Sequence, residues 1–391
     1  MERPVLVFLV NGDAAGAMGI RARSFEQRLN AEFRIEIAYR SANKLQSIWQ
    51  MFRVLTQVRP ALCYVFDMGF SGVIAAALYR SISGCRGIVD TGDAIYELSR
   101  LSGSRGPVGL QLTRLLEWFA IRSSDRVVVR SHPHQELLAR QGVAAGAVPD
   151  GVDTQQFFPR GPLADDELRR QHGLEGCTVI GLLGSLIWSP SLEMCYGWEL
   201  IELIDRLRDQ RVKGVIIGDG SGLAKLQARA AALGLEDRIV FLGRLPYAEL
   251  PRYLNVMDIC LSTQTNDAAG QVRTTGKLPL YLACGRFVLS TDVGEAARVL
   301  PSDMLVPYNG TKDPDYPKRL EDRVRVLLQD PARLAQHSVS VAIAKTNFEY
   351  DVLTVKIRQI LGELLSGWTR DSSSPKKSSL PAAAETKSGS R

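Results

Sequence analysis

Residues Gln271–Ser290, QVRTTGKLPLYLACGRFVLS, contain the pattern that decides how this chain is interpreted. The pattern predicts a polar loop, a short helix that begins near Lys277, and a buried strand at residues 287–290. The start of a helix offers unpaired backbone N–H groups and a partial positive charge. With two hydroxyls, a glycine and two cations beside it, such a start suits an anion, and diphosphate is the first candidate. A capped helix with solvated charges is the alternative interpretation.

The same alternation of apolar strand, turn and helix continues on both sides of this stretch. In the second half of the chain, strands are predicted at residues 179–183, 214–217, 239–242 and 259–262. In the first half, they are predicted at residues 5–10, 34–39, 61–66, 87–90 and 126–130. Continuous apolar strands that alternate with helices are typical of parallel sheets covered on both faces. The sequence therefore predicts an α/β protein with two doubly wound domains.

The length of 391 residues suits two domains, and composition places their boundaries. We predict a first domain at residues 1–158, a polar linker at 159–176 and a second domain at 177–345. An amphipathic helix at about 348–366 is expected to pack back on the first domain. Residues 369–391 are rich in Ser, Ala, Lys and Pro and are predicted to be disordered. Ligands of such sheets collect at the carboxyl ends of strands, which predicts a binding cleft between the domains.

Composition argues against several other classes of protein. The segment after residue 368 holds five cations and two acids, a net +3 of the total +6, and no aromatic-and-basic motif indicates nucleic-acid binding. Six scattered cysteines without a CxxC pair indicate reduced core thiols of a cytoplasmic protein. His132-Pro-His134 lacks a third partner, so no metal site is predicted. The most apolar stretch, residues 61–79, is interrupted by Asp67 and two glycines and is not a membrane span.

Two turns of the first domain follow predicted strands directly. The turn from Gly12 to Gly19 lies between a strand and a helix, as in phosphate-binding units, although its spacing is not the dinucleotide fingerprint. The second turn, Asp90-Thr-Gly-Asp93, follows the predicted strand at residues 87–90.

Several segments together resemble a family-4 glycosyltransferase with the GT-B fold, in which two Rossmann-like domains face a cleft. The segments are Asp150–Pro159 (DGVDTQQFFP), Gly218–Gly222 (GDGSG), Val240–Leu245 (VFLGRL) and Lys277–Val288 (KLPLYLACGRFV). The resemblance covers residues 5 to about 365 and depends on the order of the segments. It implies transfer of a hexose from a nucleoside-diphosphate sugar with retention, without a metal or a separate cofactor. The second domain would hold the nucleotide and the first domain the acceptor.

The resemblance also implies roles for individual residues. Cations and hydrogen-bond donors aimed at the departing diphosphate would stabilise its growing charge. The residues expected to act on the reacting groups are Asp93, Arg273 and Lys277. The residues expected to bind the donor are Gly16, Gly19, Arg21, Gly184, Gly220, Arg244, Thr274, Thr275, Gly276, Leu280 and Asp292.

Some positions depart from the family pattern. Leu280 occupies the position of a glutamate that usually binds the ribose hydroxyls in the family. Val272 replaces an earlier glutamate that often contacts the sugar. The turn after Gly184 lacks the usual Arg and Lys. Leucine accepts no hydrogen bond from a hydroxyl, so ribose binding would use another acceptor, with Asp292 and Glu295 as candidates.

Asp93 keeps the acid of a His-Asp pair that lies near the sugar in many members, while Gly92 replaces the histidine. Its interpretations are contact with substrate or capping of the following helix. The expected function is a glycosyltransferase of cell-envelope or exopolysaccharide synthesis, and the alternative is a non-catalytic homologue that binds a nucleotide-sugar as a subunit or sensor. A nucleotide-sugar epimerase is a third interpretation. The sequence shows no carboxylate and histidine arrangement suited to abstracting a proton from a sugar carbon.

The predicted helix at residues 109–122 has two interpretations. Its apolar stripe, with Leu115, Trp118 and Phe119, is expected to face the core. In the alternative, the stripe and its flanking arginines form a peripheral contact with the inner face of a membrane, near a lipid-linked acceptor.

Overall fold

The computed structural model describes residues 3–103, 105–161 and 166–366. The first domain consists of β1 (Val5–Val10), α1 (Ala17–Leu29), β2 (Arg34–Tyr39), α2 (Lys44–Val58), β3 (Leu62–Phe66), α3 (Phe70–Ser83), β4 (Arg86–Thr91), α4 (Ile95–Ser102), α5 (Pro107–Arg122), β5 (Arg126–Val129), α6 (His132–Arg140) and β6 (Ala145–Ala147). Its strands form one parallel sheet in the order β2-β1-β3-β4-β5-β6.

The second domain repeats this architecture. After α7 (Asp166–Gln171) it consists of β7 (Thr178–Leu183), α8 (Trp198–Arg206), β8 (Val212–Ile217), α9 (Leu223–Ala232), β9 (Ile239–Gly243), α10 (Leu250–Val256), β10 (Ile259–Ser262), α11 (Ala268–Gln271), α12 (Lys277–Ala283), β11 (Phe287–Thr291), α13 (Gly294–Val299), β12 (Leu305–Val306), α14 (Tyr316–Leu328), α15 (Pro331–Leu334) and α16 (His337–Asn347). Its strands are also parallel, in the order β12-β11-β10-β7-β8-β9. The predicted α/β fold with two doubly wound domains is confirmed.

Both sheets are buried because helices cover their two faces. In β1, every residue from Leu6 to Val10 is fully buried, which is why the strand is a continuous apolar run. One face of the first sheet is covered by α1, and the other by α2, α3 and α5.

The final helix α17 (Tyr350–Leu365) packs against α1 in the first domain, whereas α16 packs against the second. Its residues Leu353, Ile357 and Leu361 are fully buried in the same cluster as the strands of the first sheet. The chain therefore crosses between the domains twice, and the crossings pair where Val152 bridges to Glu349.

Some predicted boundaries differ from the structure. The polar segment 159–176 contains α7, and Leu168 and Leu174 from this segment are buried in the second core. In the second domain, α8 begins only at Trp198, because residues 184–197 form a loop closed by a Ser189–Met194 bridge. The predicted disorder of residues 369–391 lies outside the described residues.

Candidate functional site

The loop of residues 272–276, which joins α11 to α12, bridges the cleft between the domains. Three successive residues of this loop contact the first domain. Ser131 Oγ donates to Val272 O over 2.5 Å, Arg273 Nε lies 2.7 Å from Asp93 Oδ1, and Thr274 Oγ1 donates to Arg130 O over 2.6 Å. The predicted site residues Asp93, Arg273 and Thr274 are thus brought together at the carboxyl ends of the strands of the first sheet.

A second contact between the domains lies beside this loop and involves Glu295. The backbone N of His132 donates to Glu295 Oε2 over 2.8 Å, and the His132 ring nitrogen Nδ1 lies 2.8 Å from Oε1. Burial tends to raise the pKa of Glu295, but the hydrogen bonds from His132 help to hold that pKa below its ordinary value. Because both oxygens are engaged and the residue is only 2% exposed, Glu295 is not accessible to a ribose hydroxyl, contrary to what was considered from the sequence.

The start of α12 holds Lys277 over an aromatic ring. Lys277 Nζ lies 3.2 Å from the ring centroid of Tyr196 and 3.5 Å from the point that a Cβ on Gly184 would occupy. Thr275 Oγ1 lies 3.1 Å from Ser262 Oγ at the end of β10. Since α12 has only seven residues, the affinity of this place for an anion depends on its cations and hydroxyls more than on a helix dipole.

Burial lowers the pKa of Lys277 well below its ordinary value, and the nearby positive charge of Arg273 lowers it further, while Glu199 acts in the opposite direction. No ion pair within 4 Å is found for Lys277 among the residues that the structure describes. A phosphate bound here would meet an amine that has no ion pair in the described part of the chain, and its negative charge would favour the protonated form of Lys277.

Carboxylates of the first domain face the same loop. Asp93 pairs with Arg273, and Asp150 Oδ2 lies 3.4 Å from the point that a Cβ on Gly276 would occupy. Asp150 is itself paired with Arg130 over 3.4 Å. An incoming phosphate would compete with Asp93 for the Arg273 guanidinium.

Arg21 does not contribute to the cleft as the sequence suggested. Its side chain is only 1% exposed, and its Nε donates to Asp90 Oδ2 over 2.9 Å. Its other nitrogens donate to the backbone oxygens of Val148 and Pro149. We therefore correct the predicted phosphate contact of Arg21 to a structural role, because every guanidinium nitrogen already has a partner inside the first domain.

The predicted glycines allow loops to approach each other closely. A Cβ on Gly19 would lie 2.3 Å from Asp13 O, and one on Gly220 would lie 2.5 Å from Leu186 O. The backbone N of Gly16 donates to Asp13 Oδ1 over 2.7 Å. Of the predicted glycines outside the 272–276 loop, Gly184 is the one placed beside Lys277, so it belongs to the same site.

The remaining predicted residues differ in their exposure. Arg244 is exposed just after β9, whereas Leu280 is 6% exposed and lies in the core of the second domain. Val272 is also buried. Asp292 is exposed, and its Oδ1 accepts a hydrogen bond from the backbone N of Tyr308 over 3.2 Å. Neither Leu280 nor Val272 presents a polar group to a ligand.

Sequence reasoning missed Arg130, Ser131 and Tyr196. Arg130 and Ser131 directly follow β5, which is the position where ligand residues of parallel sheets are expected, and that signal was available. Arg130 also explains Gly92, because a Cβ there would lie 2.7 Å from a guanidinium nitrogen of Arg130. No pattern in the residues around Tyr196 indicated that it contributes to this site.

The α5 helix exposes the apolar stripe that was expected to face the core, and that expectation is wrong. Leu115 and Trp118 are 62% and 60% exposed, while the buried positions of the helix are Thr113 and Ala120. Within the described residues, no helix combines the length and apolar character needed to cross a membrane. Nor do those residues contain a group of three or more His, Cys, Asp or Glu that could hold a metal ion.

Comparison with known proteins supports the interpretation of the second domain. Residues 177–330 match a family model described as "Glycosyl transferases group 1". The chain is 27% identical over 235 residues to a 2-deoxystreptamine glucosyltransferase of Streptomyces kanamyceticus, with 56% of this chain and 55% of the relative covered. It is 31% identical over 224 residues to a GDP-mannose-dependent alpha-(1-6)-phosphatidylinositol monomannoside mannosyltransferase of Mycolicibacterium smegmatis, with 56% of each chain covered. The chain thus spans about half the length of these curated relatives.

The fold is also found among solved structures. The structure of Anabaena HepE in complex with UDP and glucose superposes with a TM-score of 0.72 at 18% identity, with 92% of this chain and 100% of that chain covered. This likeness confirms the predicted GT-B arrangement of two Rossmann-like domains.

Proposed function

We propose that this chain, which carries a glycosyl transferases group 1 domain at residues 177–330 within a GT-B fold, is a retaining glycosyltransferase. Its donor is a nucleoside-diphosphate sugar, and its acceptor is a glycan or a lipid-linked sugar of the cell envelope or an exopolysaccharide. The observation that carries the proposal is the pair of basic side chains Arg273 and Lys277 beside the cleft between the domains. The UDP and glucose bound to HepE and the GDP-mannose dependence of the mycobacterial relative support this class of donor.

In the proposed reaction, an acceptor hydroxyl forms a bond to the anomeric carbon as the bond between the sugar and the diphosphate breaks. Negative charge grows on the leaving diphosphate, which takes up the proton of the hydroxyl. Arg273 and Lys277 stabilise that charge, because fixed cations in a partly closed cleft need little reorganisation. Thr275 and the backbone N–H groups of residues 274–276 add neutral donors, whereas those of Val272 and Arg273 already donate to Gly270 O. Asp93 faces this point from the first domain and contacts a hydroxyl of the sugar or of the acceptor. Since protein cations neutralise the leaving group, the proposed chemistry uses neither a metal nor a separate cofactor.

The proposal is tested by thermal-shift measurements with UDP, GDP, ADP and their common sugars, followed by assays of hydrolysis and transfer. A ligand that binds only the folded protein raises its melting temperature by mass action. Arg273→Ala and Lys277→Ala should each weaken binding and slow turnover. Arg252→Ala is the matched control, since Arg252 is an exposed arginine of α10 that pairs with Glu249. Normal turnover in the Arg273→Ala, Lys277→Ala double variant would exclude these roles.

A second candidate function is a non-catalytic homologue that binds a nucleotide-sugar as a subunit or sensor. Leu280 and Val272 favour it, because both are buried apolar residues at positions where the family usually has glutamates. Glu295 does not compensate, since His132 engages both of its oxygens. This candidate requires tight nucleotide binding without turnover across a broad panel of donors and acceptors.

The exposed face of α5 is the proposed contact with the cytoplasmic face of an anionic membrane. Apolar residues Leu115 and Trp118 lie beside exposed Arg114 and Arg122. The single acid of α5, Glu117, points towards α4, where it accepts hydrogen bonds from the backbone N–H groups of Ile95 and Tyr96. An apolar stripe with basic flanks is complementary to an anionic lipid surface.

Vesicle flotation tests this surface. Trp118→Ser with Leu115→Ser should reduce partitioning to vesicles that contain an anionic lipid, and high salt should reduce it as well. Val326→Ser with Val355→Ser is the control, because these residues are 63% and 59% exposed on α14 and α17. Equal partitioning of both double variants would remove the proposed membrane contact.

A further inference from the structure

Tyr196 is the side chain on which Lys277 rests. The ammonium lies 3.2 Å from the centre of the ring, which is within the range of a strong cation–π contact. The ring is fixed in turn, because Tyr196 Oη donates to Leu261 O in β10 over 2.6 Å. Tyr196 precedes α8, so it joins the loop after β7 to the strand β10 and to the start of α12.

The surroundings of Lys277 leave this ring as its main support. The charged groups that act on the ammonium are Arg273 of the 272–276 loop and Glu199 in the first turn of α8. Burial raises the pKa of Glu199 to about 7, so that carboxyl group is only partly ionised near neutral pH. Glu199 has no ion pair with Lys277 within 4 Å among the described residues.

From this geometry we propose that Tyr196 is a positioning residue for the diphosphate of the donor. Its ring holds the Lys277 ammonium beside Gly184, at the carboxyl end of β7, where the diphosphate arrives. The inference depends on the proposed function, because it assigns Lys277 to a nucleoside diphosphate.

Binding of a diphosphate should also change the protonation of Lys277. In the ligand-free protein, burial and Arg273 lower the pKa of Lys277, whereas a bound diphosphate places negative charge beside it and raises that pKa. Lys277 is therefore protonated more fully in the complex, and binding should take up protons at pH values between its lowered pKa and its pKa in the complex. Affinity should fall as the pH rises through the lowered pKa of Lys277.

The test compares two variants, Tyr196→Phe and Tyr196→Leu, by calorimetric titration with UDP, GDP and ADP. Tyr196→Phe keeps the ring and should bind within about twofold of the wild type, while Tyr196→Leu should bind about 3- to 30-fold more weakly. Thermal melting without ligand shows that each variant is folded. Affinity retained in Tyr196→Leu would overturn the inference.

A double-mutant cycle separates positioning from a general structural effect. In a Lys277→Met background, Tyr196→Leu should cause no further loss of affinity, because the ring then has no ammonium to hold. Equal losses in both backgrounds would overturn the inference and leave the proposed function intact. Titration in two buffers of different ionisation enthalpy should show proton uptake that Lys277→Met abolishes. If none of the three diphosphates binds the wild type, the proposed function fails together with this inference.

Discussion

Replacing Asp93 by asparagine should tighten the binding of a nucleoside diphosphate while slowing sugar transfer. Asp93 Oδ1 lies 2.7 Å from Arg273 Nε, so its negative charge competes with a phosphate that approaches the guanidinium. Asp93→Asn removes the competing charge and keeps the size of the side chain. Transfer should still slow, because the proposed contact of Asp93 with a hydroxyl is weakened.

The magnitude follows from the exposure of the pair. The side chains of Arg273 and Asp93 are 45% and 31% exposed, so water screens much of their attraction. Ion pairs of this kind contribute about 0.5–1 kcal/mol, which corresponds to about a 2- to 5-fold lower dissociation constant in the variant. The difference should shrink at high salt, because exposed charges are screened.

Calorimetric titration with the nucleoside diphosphate that stabilises the wild type most is the assay. Glu136→Gln is the matched control, since Glu136 also pairs across the cleft, with Arg298 over 3.5 Å, but does not contact the 272–276 loop. Its affinity should equal that of the wild type. Equal or weaker binding by Asp93→Asn would refute the competition between Asp93 and phosphate.

Three further predictions concern the buried network, the contact between domains and the missing glutamate. Arg21→Met should lower the free energy of unfolding in urea by about 3–5 kcal/mol, because it leaves Asp90, which is fully buried, without its closest cation; a loss below about 1 kcal/mol would contradict the structural role. The pKa of Glu295 is lowered in the folded protein, so its contribution to stability is complete above its ordinary pKa of 4.5 and is lost as the pH falls through the lowered value. The melting temperature should therefore decrease more between pH 7 and pH 4 in the wild type than in Glu295→Gln. An equal decrease in both proteins would argue against the His132 contact. Leu280→Glu should lower the free energy of unfolding by about 2 kcal/mol or more without improving nucleotide affinity, since the position is buried in the core; tighter nucleotide binding would show that the new carboxylate reaches the ribose.

The fold was predictable because each strand is indicated by the apolar pattern of its own residues. A run such as residues 5–10 is apolar at every position, and burial on both faces of a parallel sheet requires that composition. The start of α12 at Lys277 was also predictable, since a polar loop with Gly276 precedes it. These signals lie within a few residues of the structure that they determine.

The chemistry of the site depended on partners that are distant in sequence. Arg21 lies just after a glycine-rich turn and looked like a phosphate ligand, but its partners at Val148 and Pro149 are 127 and 128 residues away. No sequence pattern around Tyr196 indicates its contact with Lys277. For α5, the apolar periodicity is the same whether the stripe faces the core or the solvent, and only the packing of Ala120 and Thr113 decides it.

The return of α17 to the first domain has a consequence for synthesis on the ribosome. Phe25 of α1 packs edge-on against Tyr350, with 5.6 Å between ring centroids, and Arg28 pairs with Asp351. One face of the first sheet is therefore covered only by α1 until residues 350–365 have emerged, after the whole second domain. The domain that is translated first can therefore complete its core only after the second domain has been synthesised, and part of its apolar sheet stays exposed until then.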